Sequence, residues 1–151
     1  MEKMKILLVD DEERLLSTTR KLFEKIGIEA LTASSGREAL SILKEREVNV
    51  VFLDIKMPGM DGMETLQHIK KDYPLIEVVI LTGHATMETA VEGLKLGALD
   101  YLIKPVSMKN FLQKAEEAFE KVVRQKQKIH SARMAEAAEG TEGTAIDTQG
   151  G

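Results

Sequence analysis

Short apolar runs alternate along the chain with longer segments whose apolar residues recur at helical spacing. Two runs, Val50-Val51-Phe52-Leu53 and Val78-Val79-Ile80-Leu81, are nearly continuous, which is typical of parallel strands buried on both faces. The predicted strands are residues 5–9, 29–32, 48–53, 78–81 and 101–103. Strands that alternate with helices in this way predict a doubly wound α/β fold, a three-layer sandwich in which helices cover both faces of a parallel sheet.

The helices between these strands begin at residues suited to cap them. Ser35 followed by Glu38 has the spacing of a capping box, and Asp61 offers a similar signal for the third helix. Thr86 and Ser107 are the caps predicted for the fourth and fifth helices.

The last residues of the chain differ in composition from the rest. Residues 121–130 are basic and favour helix, which predicts that the fifth helix extends beyond the body of the domain. From about Ser131 onward Ala, Glu, Gly and Thr dominate, and such a segment buries too little apolar area to offset the entropy of ordering it. We therefore predict one domain over residues 1–125, and over residues 126–151 a helical extension and a disordered tail.

Composition and charge exclude several classes of function. The chain has 151 residues, a net charge of −4 and no cysteine, so disulfides and thiolate metal sites are excluded. It has no apolar run near the ~18 residues of a membrane span, and its N-terminal apolar run is too short for a signal peptide. We expect a cytoplasmic protein. No dense basic patch precedes the C-terminal helix, so we expect no direct binding to nucleic acid or membrane.

Chemically capable residues stand at the ends of four predicted strands. Asp10 and Asp11 follow the first strand, Asp54 the third, Thr82 the fourth and Lys104 the fifth. Each of them also has an ordinary role as a helix cap, a turn residue or a surface lysine. Because ligands bind outside the carboxyl ends of the strands in open parallel sheets, the combination indicates one shared site.

These residue types suit phosphoryl transfer. Clustered carboxylates repel one another, and Mg²⁺ is a small cation that prefers oxygen ligands and relieves that repulsion. Asp54 is then a carboxylate nucleophile able to form an aspartyl phosphate. Lys104 would pair with the phosphoryl oxygens and Thr82 would donate a hydrogen bond to one of them.

Four sequence stretches carry a family resemblance. They are Ile6-Leu7-Leu8-Val9-Asp10-Asp11-Glu12, Asp54-Ile55-Lys56-Met57-Pro58-Gly59-Met60-Asp61-Gly62, Leu81-Thr82-Gly83-His84 and Asp100-Tyr101-Leu102-Ile103-Lys104-Pro105. In these stretches, over roughly residues 4 to 125, the chain resembles the CheY-like receiver domain of bacterial two-component response regulators. The resemblance implies the strand order 2-1-3-4-5.

The resemblance also implies a role for individual residues around the metal. Asp54 corresponds to the phosphoacceptor. Asp11 resembles the acid that binds the metal directly, and Asp10 the acid that acts largely through metal-bound water. Lys56 would supply a backbone carbonyl to Mg²⁺. His84, like Lys56, lies where the family tunes how fast the phosphoryl group is lost, although an ordinary loop histidine is an equal alternative.

Two further matches concern the response to phosphorylation. Thr82 and Tyr101 match the switch pair, in which the hydroxyl moves toward the phosphoryl group and the aromatic ring follows inward. Lys104-Pro105 matches the active-site lysine and a proline whose peptide bond is typically cis in the family.

The function implied is phosphorelay signal transduction. A sensor histidine kinase or a small phosphodonor would phosphorylate Asp54, and the fourth helix, fifth strand and fifth helix would change conformation to control a downstream protein. The resemblance also allows a homodimer through that face. The only chemistry expected of the chain is its own phosphorylation and dephosphorylation, so we do not expect a separate enzyme.

Other functions fit the sequence less well. A phosphatase of the haloacid dehalogenase type needs an Asp-x-Asp motif after its first catalytic strand, whereas the acceptor here reads Asp54-Ile55-Lys56. A flavin or nucleotide site needs a Gly-rich loop where this chain has Asp10-Asp11-Glu12-Glu13. Residues 81–105 resemble receivers of the nitrogen-regulation class, which leaves open the receiver half of a longer transcription regulator. Without a Walker motif or helix-turn-helix in this sequence, we expect a stand-alone regulator.

Overall fold

A computed structural model describes residues 2–56, 61–83 and 87–150. The strands are β1 (Lys5–Val9), β2 (Glu29–Ala33), β3 (Val50–Asp54), β4 (Glu77–Thr82) and β5 (Asp100–Ile103). The helices are α1 (Glu13–Lys25), α2 (Gly36–Glu45), α3 (Gly62–Asp72), α4 (Met87–Lys95) and α5 (Met108–Gly150).

The five strands form one parallel sheet in the order β2-β1-β3-β4-β5, which confirms the predicted fold and strand order. β3 and β4 are buried along their whole length, as their continuous apolar sequences indicated. The order reverses at β1, which has β2 on one side and β3 on the other. In such a sheet the crevice beside the reversal lies at the carboxyl ends of β1 and β3.

Two apolar layers hold the sheet between its helices. On one face, side chains of β1, β3 and β4 pack against Leu43 of α2 and against Leu66 and Ile69 of α3. On the other face they pack against α1 and α5, where Phe23, Phe52 and Phe111 form an aromatic cluster with ring centroids 5.2 to 6.5 Å apart. Because both faces are covered, the strand ends are where polar groups reach solvent.

Three predicted caps are confirmed as hydrogen bonds. Ser35 Oγ accepts from the Glu38 amide at 3.1 Å, and Ser107 Oγ accepts from the amide three residues later at the same distance. Asp61 Oδ1 caps α3 by accepting from a backbone amide at 2.8 Å. The Glu38 carboxylate bonds to the amide and hydroxyl of Ser34 rather than to Ser35. Thr86, the cap predicted for α4, lies outside the described residues.

The helical spacing of the sequence predicts that α5 faces the sheet with Phe111, Leu112, Ala115, Phe119 and Val122, and the structure changes this set slightly. Phe111, Ala115 and Val122 are buried as expected, and Ala118 is buried with them, whereas Leu112 and Phe119 are only partly covered. The four buried residues follow one another at spacings of four, three and four, so they form one stripe along the helix.

The backbone of α5 remains helical to Gly150, through the segment whose composition predicted disorder. Residues 131–140 are all exposed, so this stretch gains no burial that would stabilise a helix of its length. The division at residue 125 and the disorder of the tail stay predictions. Within the described parts of the chain, no helix combines the length and the apolar character needed to cross a bilayer.

Ion pairs attach α5 to the edge of the sheet where the strands begin. Lys121 Nζ lies 3.5 Å from Oε2 of Glu77, a carboxylate that is 5% exposed at the start of β4. Lys126 pairs with Glu2, whose carboxylate also accepts from Asn49 Nδ2 at 3.2 Å. Lys121 and Lys126 of the basic stretch are therefore paired with acids at this edge of the sheet.

Gly62 lets α3 approach the end of β3 closely. A Cβ at this position would lie 2.3 Å from Ile55 Cα and 2.6 Å from the carbonyl oxygen of Asp54. Both are backbone atoms, which cannot rotate away as the end of a side chain can. The closeness of α3 to the last residue of β3 therefore requires glycine.

We expect Gly62→Ala to lower the free energy of unfolding by about 3 kcal/mol, at the upper end for overpacking, because backbone atoms must move. Urea denaturation followed by circular dichroism measures the change. Gly83→Ala is the matched control, because among the described residues no atom beyond those of its chain neighbours lies within 4 Å of its added Cβ, and its stability should stay within about 0.5 kcal/mol of wild type. Equal urea midpoints for Gly62→Ala and Gly83→Ala would contradict the close approach of α3 to the end of β3.

Candidate functional site

The sheet gathers the predicted residues at one edge. Asp10 follows β1, Asp54 is the last residue of β3, Thr82 is the last residue of β4 and Lys104 follows β5. All strands are parallel and these four are consecutive in the sheet, so their carboxyl ends meet at the same edge. Asp11 lies beside Asp10 at this edge.

Three carboxylates form a cluster there. Each of Asp10, Asp11 and Asp54 offers one oxygen, and these oxygens all lie within 4.8 Å of one another. Asp10 and Asp54 are 1% and 5% exposed, whereas Asp11 is open to solvent. The cluster thus has two buried acids and an accessible side.

Local hydrogen bonds orient the two buried acids in the same way. Asp10 Oδ1 accepts from the amide of Glu12 at 3.0 Å, and Asp54 Oδ1 accepts from the amide of Lys56 at 3.1 Å. In both cases the chain turns just after the strand, and the amide two residues on reaches back. The two Oδ2 atoms are the oxygens that face Lys104.

Lys104 is the cation of the site. Its Nζ lies 2.5 Å from Asp10 Oδ2, 3.4 Å from Asp54 Oδ2 and 3.5 Å from Glu12 Oε1. Its amide donates to the Thr82 carbonyl at 2.8 Å, which fixes the backbone from which the side chain extends. The Lys104-Pro105 peptide bond is cis, as the resemblance implied.

Burial and charge shift the ionisation of two of these groups. Burial raises the pKa of Asp54 above its usual value of 3.8, and the charge of Asp10 adds to this, while the Lys56 amide and Lys104 act in the opposite direction without cancelling it. Burial by itself lowers the pKa of Lys104, but the hydrogen bond and charge of Asp10, with Asp54 and Glu12, outweigh it and leave the pKa raised. Lys104 is therefore a permanent cation at neutral pH, beside an acid cluster that one positive charge does not fully neutralise.

The predicted switch residues project from one face of the sheet. Tyr101 pairs with Ile80 in the β4–β5 register, and Ile80 lies two residues before Thr82 on β4. Because side chains alternate along a strand and paired residues share a face, Thr82 and Tyr101 point to the same side. Thr82 is 2% exposed, whereas Tyr101 is 36% exposed and so faces outward in this structure.

The remaining predicted residues differ in position. Lys56 is exposed, and its backbone adjoins Asp54 through the amide described above. His84 lies outside the described residues. Glu12 also contacts Lys104, which was not predicted from the sequence; the available signal was that Glu12 is the third acid in the run Asp10-Asp11-Glu12.

The donor set fits a small hard cation. Its carboxylate oxygens are the ligands that Mg²⁺ prefers, and Mg²⁺ commonly binds through one or two carboxylates, leaving positions for water and phosphate oxygens. Burial, with the charge of Asp10, raises the pKa of Asp54, and a cation bound beside it would favour the ionised carboxylate. The arrangement can bind a divalent cation and hold an oxyanion between that cation and Lys104.

Comparison with known families matches most of the chain to one family. The profile of the response regulator receiver domain matches residues 6–116. A receiver domain protein (CheY-like) from Methanospirillum hungatei JF-1 has a similar structure, with a TM-score of 0.78 and 31% sequence identity over 82% of this chain and 99% of that one.

Curated relatives are longer than this chain. The transcriptional regulatory protein ZraR of Escherichia coli O157:H7 is 42% identical over 117 residues, which are 78% of this chain and 26% of that protein. A putative NtrX-like response regulator of Rickettsia bellii is 43% identical over 107 residues, 70% of this chain and 22% of that protein. The chain thus spans about a quarter of the length of these relatives.

We expect Asp54→Asn to raise the free energy of unfolding in metal-free buffer at neutral pH, on the order of 1 kcal/mol, because it removes a buried charge from the acid cluster. A folded-state pKa above the unfolded value means that folding favours the protonated acid. Wild-type stability should accordingly fall as the pH rises from 3.8 through the raised pKa of Asp54.

The stability of the Asp54→Asn variant lacks this decrease. The difference in the free energy of unfolding between the two proteins should therefore be largest at neutral pH and smaller in acid. Urea titrations with chelator at several pH values measure it. Asp72→Asn, at the exposed end of α3, is the control and should change stability by no more than about 0.5 kcal/mol. A less stable Asp54→Asn protein at neutral pH would be the contrary result.

Proposed function

The chain belongs to the response regulator receiver domain family, and on this basis we propose that Asp54 accepts a phosphoryl group in a reaction that depends on Mg²⁺. One observation carries the proposal: the buried Asp54 carboxylate lies in a cluster with two other acids, and its Oδ2 lies 3.4 Å from the Lys104 ammonium. Acids in this arrangement supply both a nucleophile and a cation site.

The carboxylates of Asp10, Asp11 and Asp54 and the backbone carbonyl of Lys56 would hold Mg²⁺. When bound, the ion supplies positive charge that stabilises the oxygens of the transferring phosphoryl group. Lys104 completes this charge from the β5 side of the site. The hydrogen bond from the Lys104 amide to the Thr82 carbonyl fixes the backbone of Lys104, and its ammonium lies close to the phosphoacceptor Asp54.

The transfer itself asks little covalent chemistry of the protein. An oxygen of Asp54 bonds to phosphorus as the bond to the donor breaks, and the electron pair of that bond leaves with the histidine nitrogen of the kinase or with acetate from acetyl phosphate. Lys104 pairs with one phosphoryl oxygen. Thr82, at the end of the neighbouring strand, donates its hydroxyl to another.

We propose that the output follows from the pair on β4 and β5. A hydroxyl drawn toward the phosphoryl group leaves space on the shared face of the sheet, and the half-exposed Tyr101 ring moves into it. The face formed by α4, β5 and α5 then changes shape. It already exposes Val91, Leu94 and Ile103, apolar side chains suited to a protein partner or a second copy of the chain.

The proposed upstream partner is a sensor histidine kinase, and the downstream partner is a protein that recognises the altered face. The curated relatives are about four times as long as the segment that matches this chain. This favours a second candidate, in which the chain is the receiver part of a longer regulator. Both candidates use the same site. A stand-alone role, a cytoplasmic location and the lack of direct nucleic-acid binding stay predictions.

We expect acetyl phosphate with Mg²⁺ to add one phosphoryl group to the chain, measured by intact-mass spectrometry. Asp54→Asn should abolish the addition because the nucleophile is lost, and excess chelator should abolish it for wild type. Asp72→Asn keeps the site intact and should label as wild type does. Phosphate on the Asp54→Asn protein would refute the assignment of the acceptor.

We expect Thr82→Ala to accept phosphate but to lose the conformational response, because no hydroxyl remains to couple the phosphoryl group to Tyr101. Amide chemical shifts of β5 and α4, recorded before and after phosphorylation, measure the response. Thr82→Ser keeps the hydroxyl and should respond like wild type. Chemical-shift changes in Thr82→Ala as large as those in wild type would show that Thr82 is not needed for the conformational response.

A further inference from the structure

The position of Lys104 creates a conflict with the proposed cation. Its Nζ lies against Asp10 and within 3.4 Å of Asp54, two of the three acids that would hold Mg²⁺. A divalent cation among these acids would lie only a few ångströms from the ammonium, and the two positive charges repel at that distance. That repulsion would favour a cation-bound state in which Lys104 gives up part of its contact with Asp10.

Glu12 is the acid placed to receive it. Glu12 Oε1 lies 3.5 Å from Lys104 Nζ, and the Glu12 side chain is 66% exposed, so it is free to follow the ammonium outward. Its backbone is held, since the Glu12 amide donates to Asp10 Oδ1 at 3.0 Å. Glu12 is not part of the metal-ligand cluster found among the described residues. It can pair with Lys104 while the other three acids bind the cation.

We propose that Glu12 is a positioning residue that takes over the Lys104 ammonium when Asp10, Asp11 and Asp54 bind the divalent cation. Without Glu12, the displaced ammonium loses its acid partner in the cation-bound state while keeping Asp10 in the cation-free state. Glu12 thereby strengthens cation binding by acting through Lys104. The inference rests on the proposed Mg²⁺ site and names a residue that controls its affinity.

The charge of Glu12 also attracts the cation directly, and a double-mutant cycle separates the two effects. Mg²⁺ affinity is measured by isothermal titration calorimetry at physiological ionic strength for wild type, Glu12→Gln, Lys104→Met and the double variant. We expect the loss of affinity caused by Glu12→Gln to be about three- to fivefold larger with Lys104 present than without it, the scale of an exposed ion pair.

Two results would overturn the proposal. Equal losses in both backgrounds would mean that Glu12 acts only by its own charge. A smaller loss with Lys104 present would mean that Glu12 stabilises the lysine in the cation-free state instead. Wild type that binds no Mg²⁺ at all would count against the proposed function, which separates that failure from the failure of this inference.

Two controls test the position of the acid. Glu13→Gln removes the next carboxylate along the chain, which is not among the described acids within 4.0 Å of Lys104 Nζ. Its effect on Mg²⁺ affinity should be the same with and without Lys104. Glu12→Asp keeps the charge and should restore part of the coupling. Coupling at Glu13 equal to that at Glu12 would contradict the assignment.

A second measurement leaves Lys104 in place and so does not depend on the folding of a Lys104 variant. The ¹³Cε and ¹Hε signals of Lys104 are followed during Mg²⁺ titration of wild type and Glu12→Gln. With Glu12 present, the saturated state should show a lysine that stays ordered and paired. In Glu12→Gln it should show signals of a solvated lysine. Identical end points in the two proteins would overturn the proposal.

Discussion

The contact between the Lys104 ammonium and the carboxylates of Asp10, Asp54 and Glu12 determines the charge balance of the site, on which its proposed chemistry depends. Two of these acids are almost fully buried, and one cation does not balance them. The sheet tolerates the arrangement because its two apolar layers and the parallel strand register hold the strand ends together regardless of the charge there. The core thus supplies the stability of the fold. The unbalanced negative charge lies at the strand ends, where a bound cation can compensate it and, with Lys104, hold an oxyanion.

Much of this could be predicted from the sequence because parallel strands have a simple rule. Continuous apolar runs such as those of β3 and β4 mark buried strands, and residues that follow such strands must lie at one edge. Asp10, Asp54 and Lys104 could be placed at that edge on this ground, whereas their convergence on one site also depends on the strand order. The strand order itself came from the family motifs, since periodicity carries no information about neighbours. Caps such as Ser35 were predictable because their hydrogen bonds are local.

Other features depend on contacts that a sequence pattern does not encode. The preference of Lys104 for Asp10 over Asp54, and its contact with Glu12, depend on side-chain rotamers and on the path of the chain after β5. The need for glycine at position 62 arises from the distance between α3 and β3, which only packing determines. Ala118 was not predicted to be buried because the face predicted for α5 included Leu112 and Phe119 in its place, and both are only partly covered.

The attachment of α5 has a mechanical consequence. The pairs Lys121–Glu77 and Lys126–Glu2 hold the helix at the edge where strands begin, while its first turn starts beyond β5 at the opposite edge. Glu77 is nearly buried, and Lys121 is one of the lysines whose charge compensates it, so this pair helps to fix α5 at the edge of the sheet. A helix rises 1.5 Å per residue, about 20 Å from Lys126 to Gly140. Since Phe111 and Ala115 fix the first turns on the sheet as well, the packed part of α5 sets the direction of the exposed part beyond Lys126, and any tilt of the whole helix displaces that end the most.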